Sequence, residues 1–198
     1  MGPTIRAALE EDAGAIAALY TPIVEDTHIS FETTPPSVEE LAARIRDTVE
    51  RFPWLVCEYD GQIVGYSYAG SHNDRPAYQW GVDVSVYVAE QWHRHGIARG
   101  LYETLFALLR AQGFFTAYAV IALPNPSSVR FHEALGFEQV GRYEKAGFKH
   151  GEWRDVGHWE RTLQARETPP SPPTPFSVSR TAPDVDAALR TGEATIRL

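Results

Sequence analysis

Between residues 78 and 121 the hydrophobic pattern changes period twice, and this constrains the fold more than any other feature of the chain. Tyr78–Val88 is rich in β-branched and aromatic residues and reads as a strand. Ile97, Leu101, Leu105, Leu108 and Leu109 then recur at helical spacing over 97–112, and Thr116–Ile121 is a short apolar run suited to a buried strand. Upstream, Trp54–Tyr59 and Gln62–Ala69 flank Asp60-Gly61, a dipeptide that fits a two-residue type I′ hairpin because both residues tolerate positive φ. An early antiparallel hairpin followed by βα units predicts an α+β fold with a sheet of mixed direction.

The remaining segments fill this frame. Thr4–Ala8 reads as a strand, and 10–23 as a helix with Ile16, Leu19, Tyr20 and Ile23 on one face. Ser37-Val-Glu-Glu40 is a capping box that opens a second helix. Ser127–Leu135 reads as a helix stopped by Gly136, and strands are predicted over 138–144 and 153–162. The expected order over 1–163 is β-α-α-β-β-β-α-β-α-β-β. Beyond it the composition shifts: six of the 14 prolines fall in 164–198, most of them in Pro169–Pro175. Such a run favours extended polyproline backbone and lacks ladder donors. Residues 164–198 are therefore expected to be a tail outside the fold, with Asp184–Arg190 able to make a helical turn or two.

A length of 198 residues suits one domain with a real core, and 43% apolar with 22% charged residues is the balance of a globular chain. The net charge of −8 argues against a nucleic-acid partner, which needs basic surface to displace counterions. No apolar run reaches the roughly 18 residues of a membrane span, and the stretch from Met1 to Arg6 carries no signal-peptide core. A cytoplasmic location with no membrane partner is expected. The lone cysteine, Cys57, sits in a strand-like run and reads as a buried, inert thiol. His93 and His95 form the only close histidine pair, without acidic or cysteine ligands at usual spacing, so no metal is expected.

Chemistry concentrates in Val86–Tyr102. A strand ends at Val88, and a polar, basic loop leads into a helix beginning near Ile97. Gly96 and Ala98 are small where the chain enters the helix, so main-chain N–H groups can approach a ligand closely. Arg94 and Arg99, with His93 and His95, add positive charge at a helix N-terminus, which itself favours anions. The pattern points to a phosphate or pyrophosphate cradle. The P-loop and the three-glycine dinucleotide fingerprint are both absent.

His93-Arg-His-Gly96-Ile-Ala98 resembles the Gln/Arg-x-x-Gly-x-Gly/Ala segment with which the GNAT superfamily binds the pyrophosphate of acetyl-CoA, with His93 standing where Gln or Arg is usual. Phe31, Ala77–Trp80, Val86–Val88, Leu123-Pro-Asn125, Ser128–Arg130, His132–Gly136, Ala146–Gly151 and Asp155-Val-Gly157 are similar to the phosphinothricin N-acetyltransferase branch. The resemblance runs from about residue 4 to 163. It implies a mixed, mostly antiparallel sheet flanked by helices, acetyl-CoA as co-substrate and a small amine as acceptor.

It also implies roles. The main chain of Val86, Tyr87 and Val88 would pair with the pantetheine amides, with the Val88 N–H polarising the thioester carbonyl. Arg94, His95, Gly96, Ile97, Ala98 and Arg99 would hold the diphosphate, and Asn125 and Ser128 would lie along the cofactor arm. Asp83 stands where the branch has a Glu proposed as general base. It is either a base or water-positioning group, or a structural carboxylate pairing with Arg75 or a helix terminus. An ordinary Asp, titrating near pH 3.9, is a weak base for an ammonium group. His132 is either the proton donor to the departing thiolate or a core histidine. Arg75 is the candidate cation for an acceptor carboxylate, with Phe31, Tyr78 and Trp80 around it. Lys149, His150 and Trp153 are candidates to complete the pocket across a homodimer interface. Two other functions fit the same residues: an acyl-CoA-binding sensor without turnover, or an acetyltransferase for polyamines or protein N-termini.

Overall fold

The computed structural model describes residues 2–181 and 183–198, so Met1, where the N-terminal stretch begins, and Ala182 lie outside it. Its elements are β1 (Thr4–Ala7), α1 (Ala13–Asp26), α2 (Val38–Val49), β2 (Trp54–Tyr59), β3 (Gln62–Ser71), β4 (Gly81–Val88), α3 (Ile97–Gln112), β5 (Thr116–Leu123), α4 (Pro126–Ala134), β6 (Glu138–Lys149) and β7 (Glu152–Thr162), followed by α5 (Phe176–Ser179) and α6 (Pro183–Glu193). Through β7 this is the predicted order. The sheet runs β1-β2-β3-β4-β5-β7-β6, and only β4 and β5 are parallel. Among the described residues, no helix is long and apolar enough to cross a membrane.

Local chemistry accounts for the boundaries. Asp60 and Gly61 have φ of 47° and 72°, the two left-handed conformations a type I′ turn requires. The capping box forms: Glu40 N–H donates to Ser37 Oγ (3.1 Å) and Ser37 N–H to Glu40 Oε2 (2.7 Å). Tyr78 departs from the expected strand. Pro76 opens a short 3₁₀ turn over Pro76–Tyr78, and β4 begins only at Gly81. β6 extends five residues beyond its predicted end because a register shift between Tyr143 and Gly147 absorbs the irregularity.

Each face of the sheet buries a different set of side chains. Val82 and Val84 of β4, Ala117, Ala119 and Ile121 of β5 and Trp159 of β7 pack with Ile97, Leu101, Leu105 and Leu109 of α3. On the other face Ile16, Leu19 and Tyr20 of α1 and Leu41 and Ile45 of α2 cover Trp54, Val56 and Tyr66. Full burial of each valine, leucine or isoleucine among these contributes about 1.5–3 kcal/mol. Cys57 has no exposed surface, and burial pushes its thiol up to about 12, which leaves it protonated and inert.

Residues 164–198 do not behave as the expected solvated tail. Gln164 Nε2 donates to the Phe114 carbonyl (2.9 Å), Thr174 N–H to the Gln112 carbonyl (2.8 Å) and Phe176 N–H to the Arg51 carbonyl (3.1 Å). Phe176 is 1% exposed in the α3-side core. α6 then lies along α3 so closely that a Cβ on Gly100 would stand 2.5 Å from the Gly192 carbonyl oxygen. Glu193 Oε1 accepts the outward N–H of Ile5 on edge strand β1 (2.9 Å), and Arg197 N–H donates to the His95 carbonyl (2.8 Å). A proline-rich segment lacks donors but not acceptors, and its flanks carry apolar side chains. Both find partners on the domain surface.

Candidate active site

The ladder hydrogen bonds determine where main-chain groups are left for a ligand. Ala89 N–H donates to the Val64 carbonyl (3.0 Å) and Ala69 N–H to the Pro53 carbonyl (3.1 Å). Bonded pairs alternate along an antiparallel ladder, so Asp83, Ser85 and Tyr87 turn their main chain to β3, while Val84, Val86 and Val88 turn theirs toward β5. β5 does not follow. Its pairing with β4 is confined to Gly81↔Thr116, Val82↔Ala117 and Asp83↔Tyr118, although both strands run several residues further. Leu163 N–H donates to the Phe115 carbonyl (2.8 Å), which by the same alternation turns Val120 and Ala122 of β5 toward the gap. The strands therefore splay past Asp83 and Tyr118, with main-chain groups directed in from both edges. The expectation for Tyr87 is corrected: its main chain is committed to Tyr66, and its ring packs against Tyr20 at 5.2 Å.

At the open end of the gap the chain makes the predicted turn. Arg94 and Gly96 have φ of 67° and 84°, and α3 starts at Ile97. Gly96 is its N-cap and provides no side-chain acceptor, so the first-turn N–H groups of Ile97, Ala98 and Arg99 have no intrahelical partner. They present a partial positive charge where a diphosphate would lie. His93 Nε2–H donates to the Val88 carbonyl (3.0 Å) and His95 Nδ1–H to the His93 carbonyl (2.9 Å), so both histidines brace the turn. Arg99 pairs with Glu103 one turn along α3 (3.4 Å). The C-terminal segment packs over the same turn, with the Thr195 carbonyl and Ile196 against Gly96; the first-turn donors of α3, below a gap edged by main chain, suit a diphosphate carrying an amide-bearing arm.

At the closed end, Asp83 meets a partner absent from the sequence reading. His72, just past β3, sets Nδ1 2.7 Å from Asp83 Oδ1 and stacks on Tyr118 with ring centroids 4.0 Å apart. Arg75, the partner considered for Asp83, is exposed and donates its main-chain N–H to Asn73 Oδ1. A pocket of about 220 Å³ opens here, lined by His72, Tyr78, Trp80, Tyr118, Arg166 and Glu167 among others. Tyr78 and Trp80 are part of this lining and so is Arg166 of the tail, whereas Arg75 is not. Arg166 Nη2 donates to Thr116 Oγ1 (3.2 Å), and Trp80 Nε1 donates to the Ser171 carbonyl (2.8 Å). A second concavity of about 450 Å³ lies beneath α2, where Arg44 pairs with Glu32 (2.7 Å). No local signal marks His72 or Arg166. The first reaches Asp83 through the β3–β4 register, the second through the path of the tail.

Asn125 caps α4, its Oδ1 accepting from the Ser128 N–H (3.1 Å). His132, 6% exposed, lies one turn on. Its Nδ1 is 2.8 Å from the Ser128 carbonyl, which can only accept, so Nδ1 carries the proton and Nε2 accepts from the Tyr102 hydroxyl (3.2 Å). Burial holds this imidazole below its ordinary value and keeps it neutral. Phe31 lies over β6 where Gly147 has no side chain to obstruct its ring. Lys149 Nζ donates to the Ser30 carbonyl (2.7 Å) and His150 Nε2–H to the Thr27 carbonyl (3.1 Å), so both anchor their own α1–α2 loop. Trp153 stays 61% exposed beside Phe148. Among the described residues there is no group of three or more His, Cys, Asp or Glu side chains that could hold a metal ion.

Comparison with known proteins agrees with this geometry. The family model described as an acetyltransferase (GNAT) domain matches residues 5–158. A phosphinothricin N-acetyltransferase from Streptomyces viridochromogenes is 40% identical over 171 residues, covering 86% of this chain and 91% of that protein. The L-methionine sulfoximine/L-methionine sulfone acetyltransferase of Salmonella typhimurium is 29% identical, over 84% of this chain and 98% of its own. Among solved structures, a GNAT superfamily phosphinothricin acetyltransferase from Sinorhizobium meliloti, in complex with AcCoA, superposes with a TM-score of 0.81 at 33% identity, covering 89% of this chain and 99% of that one.

Proposed function

The chain belongs to the GNAT acetyltransferase family, and on that premise we propose that it transfers the acetyl group of acetyl-CoA to the amino group of a small amino-acid-like acceptor of the phosphinothricin, methionine sulfoximine or methionine sulfone type. The observation that carries the reading is the β4–β5 gap. Main-chain groups of Val86 and Val88 on one edge and of Val120 and Ala122 on the other suit a ligand that carries amides. The turn from Arg94 to Arg99 is the proposed seat of the diphosphate, and Asn125 and Ser128 stand beside the arm. The Val88 N–H, directed into the gap, is the proposed donor to the thioester carbonyl oxygen, where negative charge develops during attack.

The acceptor is assigned to the pocket at Asp83. Tyr78 and Trp80 form apolar walls, and the acceptor carboxylate is assigned to Arg166 in preference to Arg75, because Arg166 lines the pocket. Phe31 belongs to the α1–α2 loop wall. Asp83 serves the removal of the ammonium proton. His132, buried and neutral with its Nδ1 proton held by the Ser128 carbonyl, is assigned to the core-histidine alternative. The small-acceptor reading draws on the relatives that act on phosphinothricin or methionine derivatives. A homodimer in the cytoplasm is part of the same reading: Val120, Tyr143, Phe148 and Trp153 are exposed apolar side chains on β5, β6 and β7, and sedimentation velocity would test for a dimer. A thiol-release assay over a panel of amino acids and analogues tests the function. Turnover with phosphinothricin or methionine sulfoximine is the expected result, and acetyl-CoA binding without turnover on any amine would replace the enzyme with a sensor.

A further inference from the structure

We infer that His72 is the base that deprotonates the acceptor, and that Asp83 orients it; the inference rests on the acetyltransferase reading above. The Asp83↔Tyr118 pair is the last at which β4 and β5 are joined and therefore marks the apex of the gap. His72 touches both members of that pair, bonding Asp83 at 2.7 Å and stacking on Tyr118 at 4.0 Å. It stands on the same face of the sheet as Asp83, because Val82 and Val84 on either side of Asp83 point into the α3 core. The pocket proposed for the acceptor is lined by His72 and Tyr118 but not by Asp83. Of the Asp83–His72 pair, His72 is therefore the member that lines the pocket.

Chemistry points the same way. The Asp83 carboxylate can only accept, so Nδ1 of a neutral His72 carries the proton and Nε2 holds the lone pair. As a class, carboxylates are weak bases toward an ammonium ion, whereas imidazoles are better matched to proton transfer near neutrality. The shorter side chain of Asp, where a Glu would reach further, leaves room for that ring. Other charged or titratable groups around His72 are Tyr78, Arg166 and Glu167 in the pocket and Tyr118 beneath it. Burial, reinforced by Glu160, raises the Tyr118 phenol and keeps it protonated. Proton accounting closes. One ammonium proton passes to His72 Nε2 and on to solvent. The amine nitrogen bonds the thioester carbon, the C–S bond breaks, and a second nitrogen proton ends on the departing sulfur.

The test is the pH dependence of kcat and kcat/KM for wild type, His72→Gln and Asp83→Asn with an acceptor from the panel, each variant checked by its melting temperature. His72→Gln is expected to lower kcat at neutral pH by about 10²–10⁴-fold and to regain rate as pH rises and free amine accumulates. Asp83→Asn is expected to lose less and to keep the acid limb. Free imidazole is expected to restore part of the rate to His72→Ala. If His72→Gln keeps the wild-type rate, or loses rate equally at all pH values with no imidazole rescue of His72→Ala, the ring is structural and the inference fails while the acetyltransferase reading stands. Wild type inactive on every amine would overturn that reading itself.

Discussion

The two ends of the β4–β5 gap are built from different materials. The open end, from Val84 to Arg99, is mostly main chain: ladder groups facing an absent neighbour, a left-handed glycine and the first-turn donors of α3. The closed end is side chains drawn from distant segments: His72 from the end of β3, Asp83 from β4, Tyr118 from β5 and Arg166 from the C-terminal segment. Main-chain recognition tolerates exchange of side chains, so His93 can stand in the turn where Gln or Arg is usual. A side-chain pocket changes with every replacement, and Asp83 in place of Glu comes here with a histidine.

This contrast is open to direct attack. Asp83→Asn should lower kcat by about 10²-fold and leave the dissociation constant of CoA unaltered in calorimetry; a matching loss of CoA affinity would merge the two ends into one site. Gly96→Val should act oppositely. A β-branched residue at φ 84°, with the Thr195 carbonyl packed against the same carbon, strains the turn by about 1–3 kcal/mol and should weaken CoA by roughly 10–100-fold. Normal CoA affinity in that variant would mean that the main-chain turn does not hold the diphosphate.

Smaller effects sharpen the picture. Gly192→Ala would push a methyl group into Thr104 and the Gly100 carbonyl, and should cost about 1–3 kcal/mol of unfolding free energy by urea titration; an unchanged midpoint would return the C-terminal segment to solvent. Arg166→Ala should raise the acceptor KM about tenfold, the value of one charge-assisted hydrogen bond, with a smaller change for Arg75→Ala. The reverse ranking would restore Arg75 to the pocket. For His132 the folded state holds the imidazole neutral. The unfolded chain binds the extra proton first, so stability is complete above the ordinary value of about 6.5 and falls as pH drops below it. His132→Asn should flatten that slope between about pH 7 and 5, as read from denaturant midpoints.

The sequence by itself determined the element order, the type I′ turn at Asp60-Gly61, the capping box at Ser37 and the basic turn at Gly96, because each depends on φ preferences, periodicity or caps within a few residues. It also carried the family, through short segments spread over most of the chain. It did not reveal that Tyr87 faces β3 while Val86 and Val88 face the gap, since strand register is a pairing between residues some 20 apart. Nor did it reveal His72 beside Asp83 or Arg166 in the pocket. The docking of the C-terminal segment is not legible locally for a related reason. Proline content reports missing donors, whereas docking depended on carbonyls accepting from Trp80 and Gln112, on Phe176 finding the core, and on two glycines letting α6 approach α3. Local propensity is written in neighbouring residues; the meeting of distant side chains is settled only when the packed chain brings them within bonding distance.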